Sequence, residues 1–226
     1  MNRYLLAGLA LSLMVLSGCG AAVSKESASG PEPVPQIQAT STPEAENSFT
    51  AWLPEGVEPV MAETAPLPEL AKVIVDQYEI PPEEWDKTKY YYNYVDLNGD
   101  GTDEIFAVVM GPYTSGSGGD SALWVIPYAG MAVGQTFTLV RTPIIISDTM
   151  TNGAHEILMQ RSGGGAETEY IRLVCSDGIY SNPSDAEVVA DISQITGKAI
   201  ISNDLIADME SGTFLTLADA KEVTDS

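Results

Sequence analysis

Asp96-Leu97-Asn98-Gly99-Asp100-Gly101-Thr102-Asp103-Glu104, running directly into Ile105-Phe106-Ala107-Val108-Val109-Met110, governs how the rest of the chain is read. Oxygen-bearing side chains stand at the first, third, fifth and ninth positions of the nonapeptide, and Gly101 stands at the sixth, where a chain wrapping a hard cation has to turn sharply. In such a loop the odd-numbered side chains point inward. Asp96, Asn98 and Asp100 then converge, the Thr102 carbonyl adds a fourth oxygen and Glu104 closes the shell. Without an ion, three carboxylates would crowd together and repel. The six residues that follow are β-branched, aromatic or otherwise apolar, the composition of a buried strand. The stretch therefore predicts a calcium-binding loop that opens into a β-strand. A metal-free turn built from the Asn-Gly and Asp-Gly pairs is the alternative.

The spacing starts as an EF-hand loop does. That loop needs a bidentate Glu at its twelfth position, where Ala107 stands, and a helix where a strand is expected. The nonapeptide with Ile105 and Phe106 instead resembles the loop of FG-GAP and VCBS-type repeats, found in integrin-like propellers and many bacterial surface proteins. The resemblance is confined to this stretch. It implies calcium bound by Asp96, Asn98, Asp100 and Glu104 with the Thr102 carbonyl.

Laying Asp148-Thr149-Met150-Thr151-Asn152-Gly153-Ala154-His155-Glu156-Ile157 on the loop repeats its Asp, its Gly and its Glu, with Asn152 for Asp100 and Met150 for Asn98. Ser162-Gly163-Gly164-Gly165 then parallels Ser117-Gly118-Gly119, and a strand is expected after each. Two degenerate β units of ~52 residues follow, the second having lost a ligand. Two units cannot close a propeller, so the expected fold is mainly β (α+β): an antiparallel curled sheet or sandwich with one N-terminal and one short C-terminal helix.

At the start of the chain, Met1-Asn2-Arg3 is positive, Tyr4 to Val15 is apolar but short for a bilayer, and Leu16-Ser17-Gly18-Cys19 follows. The tetrapeptide resembles the bacterial lipobox. It implies a lipoprotein signal peptide over 1–18, cleavage before Cys19, and a diacylglyceryl group on the Cys19 sulfur that anchors an exported protein to a membrane, since two or more acyl chains hold where one is marginal. Residues 19–66 are rich in Ser, Ala, Pro, Glu and Thr and read as a flexible linker reaching on the order of 40 Å. Whether Trp52-Leu53-Pro54 docks on the domain or stays loose is not decided by the residues.

The β-rich domain is expected over 67–217, with 218–226 a frayed tail. Leu70, Val73, Ile74, Gln77 and Tyr78 have helical spacing, ended by Pro81-Pro82. Tyr90, Tyr92 and Tyr94 lie on one face of a strand and Tyr91 on the other, either as cross-strand packing or as a platform for a ligand. Gly111 to Asp120 reads as a long mobile loop between strands. Asn203 is placed to cap a helix over 204–210, with Gly212 beyond its end.

A net charge of −22 with ten Lys and Arg in total argues against nucleic acid, which needs clustered cations. With Cys19 lipidated, Cys175 has no disulfide partner and reads as a small core residue. His155, the one histidine, lacks a second His or a Cys nearby and reads as a turn residue. The expectation is a calcium-stabilised, membrane-anchored module that binds a glycan, wall component or protein without catalysis. The alternatives are an envelope hydrolase using the Tyr113 to Asp120 loop with Glu167, Glu169 or His155, and an inhibitor of a wall-degrading enzyme.

Overall fold

The computed structural model describes residues 49–163 and 165–220, so the signal peptide, Cys19 and the end of the tail lie outside the described residues. In chain order the elements are β1 (Val57–Pro59), α1 (Pro68–Tyr78), β2 (Lys89–Val95), β3 (Glu104–Met110), β4 (Ser115–Gly116), β5 (Gly119–Ile126), β6 (Ala132–Val140), β7 (Ile144–Thr151), β8 (Ala154–Gly163), β9 (Ala166–Leu173), β10 (Cys175–Ser176), β11 (Ile179–Tyr180), β12 (Glu187–Val188), β13 (Gly197–Ile200), α2 (Leu205–Ser211) and β14 (Leu215–Thr216). The strands form two six-stranded open sheets and a two-stranded ribbon, β10-β11. One sheet runs β1-β13-β7-β8-β9-β12, the other β14-β2-β3-β5 with β4 and β6 both hydrogen-bonded to β5. No helix of the described residues is long and apolar enough to cross a membrane.

The apolar run Ile105–Met110 is continuous because β3 is covered on both faces, and all seven residues of the strand are buried. Phe106 and Val108, with Tyr91 and Phe137, share one core with Ile144, Ile157, Met159 and Ile171 of the opposite sheet, which packs the two sheets face to face. Ile105, Ala107 and Val109 face the other way. With Tyr90, Tyr92 and Leu123 they meet Leu70, Ala71 and Ile74 of α1. That helix has no side-chain N-cap, only Pro68 in its first turn, and it stops where Glu79 turns left-handed at φ 51°. Its stability rests on the buried stripe, Leu70 and Ile74 each contributing roughly 1.5–3 kcal/mol.

The two expected β units are present as two antiparallel meanders, β2-β3-β5 and β7-β8-β9. Three boundaries differ from the sequence reading. The expected linker, 19–66, contributes β1, which pairs in parallel with β13, and Trp52 and Leu53 pack on the outer face of that sheet. The cap of α2 is Asp204, which accepts from the Ile206 and Ala207 amides, because Asn203 is engaged by the Ala62 amide instead. The expected tail, 218–226, starts inside the fold, since Ala220 is buried against the α1 core.

Candidate functional site

Between β2 and β3 the nonapeptide folds onto its own amides. Asp96 Oδ1 accepts from the Gly99 amide at 2.7 Å and the Asp100 amide at 3.2 Å, and Oδ2 from the Gly101 amide at 2.8 Å. Asn98 Oδ1 accepts from the Asp100 amide, and Asp100 Oδ1 from the Thr102 amide, each at 2.8 Å. Gly99 and Gly101 take φ values of 72° and 85°, which a side chain would resist.

Glu104 opens β3 and is 0% exposed. Its Oε2 accepts from the Leu97 amide at 2.9 Å, and its Oε1 from Asn98 Nδ2 at 3.2 Å and the Tyr128 hydroxyl at 3.0 Å. Burial pushes its pKa up. The Leu97 amide and Tyr128 hydroxyl pull the other way, and the neighbouring Asp100 and Asp96 charges push it up further. At Asp96 burial also works upward, but the Gly101, Gly99 and Asp100 amides, helped by His155, outweigh it and hold the carboxyl below its ordinary range.

The second unit holds the same acid differently. Glu156 is also buried, and it accepts from Thr151 Oγ1 at 2.7 Å and faces Arg172 at 3.4 Å. Arg172 pairs with Leu158 in the β8–β9 register, and Trp124 pairs with Phe106 in the β3–β5 register, two residues after each acid. Trp124 thus occupies the place of the neutralising arginine, and its buried indole N–H has no hydrogen-bond partner among the described residues. Among the described residues no Lys, Arg or His forms an ion pair with Glu104.

Also among the described residues, no three His, Cys, Asp or Glu side chains gather into a group able to hold a metal ion. An ion here has to draw on Asn98 and the Thr102 carbonyl as well. The donor chemistry fits a hard cation. Asp96 Oδ2, Asn98 Oδ1 and Asp100 Oδ1 have each accepted one amide, leaving a second lone pair on each oxygen.

The stretch laid on this loop, Asp148 to Glu156, is not a second clasp. Its first four residues belong to β7, and Asn152 and Gly153, at φ 55° and 83°, make a two-residue hairpin turn between Thr151 and Ala154. The two hairpins nevertheless meet, since the His155 amide donates to the Leu97 carbonyl at 2.8 Å and Met150 packs against Gly99. His155 Nδ1 sits 2.6 Å from the Ser147 carbonyl. Beside them a cleft of about 320 Å³ is lined by Tyr94, Asp96, Asp103, Asp148, His155 and Lys198.

The tyrosine platform is not formed, because Tyr90, Tyr91 and Tyr92 are core residues and Tyr94 alone is exposed, at 46%. Of the hydrolase candidates, Glu169 and His155 are not brought together. Glu169 is paired with Arg161 at 2.7 Å, six residues along β8 from His155, or about 20 Å at strand spacing. The expected mobile loop, Gly111 to Asp120, is a hydrogen-bonded extension of a hairpin, in which Ser115 bridges the Gly111 amide and Asp120. It meets the Gly163 turn, and Arg141 donates to the Ser117 and Ser162 carbonyls. Neither Arg141, Tyr128 nor Arg172 carried a sequence signal, because each acts through a partner remote in the chain.

No protein-family profile, curated protein or solved structure matches the chain.

Proposed function

We propose that the protein is an exported module, anchored to a bacterial membrane through a lipidated Cys19, whose β-sandwich is braced by calcium at Asp96, Asn98, Asp100, Thr102 and Glu104 and which binds a ligand without catalysing a reaction. The observation that carries the calcium reading is the burial of Glu104 with two further acids nearby and, among the described residues, no Lys, Arg or His ion-paired with it. An uncompensated buried carboxylate is costly, and a divalent ion supplies the charge that Arg172 supplies to Glu156. The ion would act structurally, by neutralising the acids at the mouth of the hairpin. Asp96, Asn98 and Asp100 are already oriented by the loop amides, which lowers the ordering cost of binding.

Calorimetric titration of the full chain with calcium tests the brace. Saturable binding at about 0.1–1 mM, the range of extracellular calcium modules, is expected, with at least about tenfold loss in Asp100→Ala. Absence of binding heat in the wild type, together with an unchanged melting temperature in chelator, discards it. The anchor is tested separately by palmitate incorporation in the expressing bacterium, which should vanish in Cys19→Ser.

A further inference from the structure

At the opposite end of β8 from the Asp96–Glu104 loop lies an open cleft of about 270 Å³, with Phe49, Trp52 and Leu205 as its apolar lining and Asp120, Arg141 and Gln160 among its polar lining. We propose that this cleft binds a neutral sugar ring. The proposal names the ligand class of the binding module and rests on that reading of the protein.

The walls supply the two things a sugar requires. Trp52, stacked on Tyr170 with centroids 5.5 Å apart, gives a fixed apolar surface for the C–H face of a pyranose. Arg141, Asp120 and Gln160 give planar groups whose paired donors or acceptors match adjacent hydroxyls. These groups are only partly used by the protein. Arg141 spends Nε and Nη2 on the Ser162 and Ser117 carbonyls, Asp120 uses Oδ1 for Ser115, and Gln160 makes no side-chain hydrogen bond among the described residues. Among the described residues nothing else engages Arg141 Nη1, Asp120 Oδ2 or the Gln160 amide, which are left for a ligand.

Charge selects a neutral occupant. Arg141 and Asp120 offset one another within the cleft, and the whole chain carries −22, so an anionic ligand gains nothing on approach. The frame is set before any ligand arrives. A Cβ at Gly163 would lie 3.2 Å from both the Gly118 Cα and the Ser117 carbonyl oxygen, so these turns touch only because side chains are missing, and Arg141 ties them together. A pre-formed site of this size, near the lower end of small-ligand clefts at about 300 Å³, has room for a terminal ring of a longer glycan.

The test is titration of the full chain with the trisaccharide of N-acetylglucosamine, the trisaccharide of glucose, and glucuronic acid, followed by calorimetry and tryptophan fluorescence, in calcium and in chelator. At least one neutral trisaccharide should saturate below about 10 mM, with Trp52→Ala and Gln160→Ala each weakening it about tenfold or more. Gln160→Ala should melt with the wild type, because its side chain makes no hydrogen bond among the described residues. Failure of both neutral sugars to saturate, wild-type affinity in both variants, or tighter binding of glucuronic acid overturns the proposal. Sugar binding without calcium binding would discard the calcium brace and leave this site standing.

Discussion

Glu156 and Glu104 occupy matching places in the two meanders, and what faces each of them decides how the two ends of the molecule behave. Arg172 donates to Glu156 on one side and to Glu187, at 2.7 Å, on the other. Arg172→Ala should destabilise the protein by roughly 1–3 kcal/mol in urea unfolding, because it leaves a buried acceptor charge unmatched. Adding Glu156→Gln should recover part of that loss, and equal stability of the single and double variants would show that the pair is not coupled. Asp120 gives a pH signature of its own. Burial raises its pKa, with Ser115 and Arg141 pulling it back only in part. A carboxyl whose folded pKa lies above its unfolded value binds more protons folded than unfolded, so its contribution to stability is greatest at or below the unfolded value of 3.8 and falls as pH rises through the folded value. Asp120→Asn should therefore flatten the decline in urea midpoint above pH 3.8, and an unchanged slope would refute the assignment.

The strands show which parts of the chain could be read and which could not. β3 was legible because a continuous apolar run follows turn residues, and α1 because Leu70 and Ile74 keep helical spacing. β7 was misread at Asp148 to Thr151, since the Asp, Asn and Gly that suggested a loop serve a strand end and a two-residue turn. Turn residues report that the chain reverses, and the same dipeptide serves a long loop or a tight one. β6 escaped notice because it pairs only with β5 and presents mostly exposed, small or polar residues, with Gly134 leaving room for Trp124. β1 was hidden in a stretch of tether-like composition, and its partner lies far along the chain. Of the candidate site, the Asp96–Glu104 pattern of oxygen-bearing side chains was visible in the residues. The burial of Glu104, and its lack of an ion-pair partner among the described residues, depend on registers that only the fold supplies. Gly197 carries a prediction at this scale. Its φ is 142°, and a Cβ there would run into the Ile146 carbonyl oxygen across the β13–β7 pair. Gly197→Ala should cost about 2–3 kcal/mol or more by urea unfolding, whereas Gly153→Ala, at φ 83° with open space around it, should cost about 1 kcal/mol.

In the whole molecule, the Asp96–Glu104 loop joins the two sheets as well as closing one hairpin, because the Leu97 carbonyl holds the His155 amide and Leu97 itself is buried in the shared core. An ion bound in the loop would therefore stabilise the sandwich as a unit, and its effect should appear in global unfolding. Binding to the folded state alone adds RT ln(1 + [L]/Kd), so a Kd of about 0.1–1 mM gives roughly 1.4–2.7 kcal/mol at about 10 mM calcium. For a domain of this size that is on the order of 3–10 °C in melting temperature. Magnesium should give much less, because it is smaller, demands near-octahedral geometry and sheds water reluctantly. Glu104→Gln should abolish the calcium increment. In chelator it should lie within about 1 kcal/mol of the wild type, since it keeps the side chain's volume and removes a buried charge that no Lys, Arg or His among the described residues pairs with, while its NH2 meets one of the donors the carboxylate accepted from. Urea midpoints of the two proteins in calcium, magnesium and chelator decide the matter. If the wild type unfolds at one midpoint in all three, the burial of Glu104 is borne by its three hydrogen bonds and the loop is an ion-free turn.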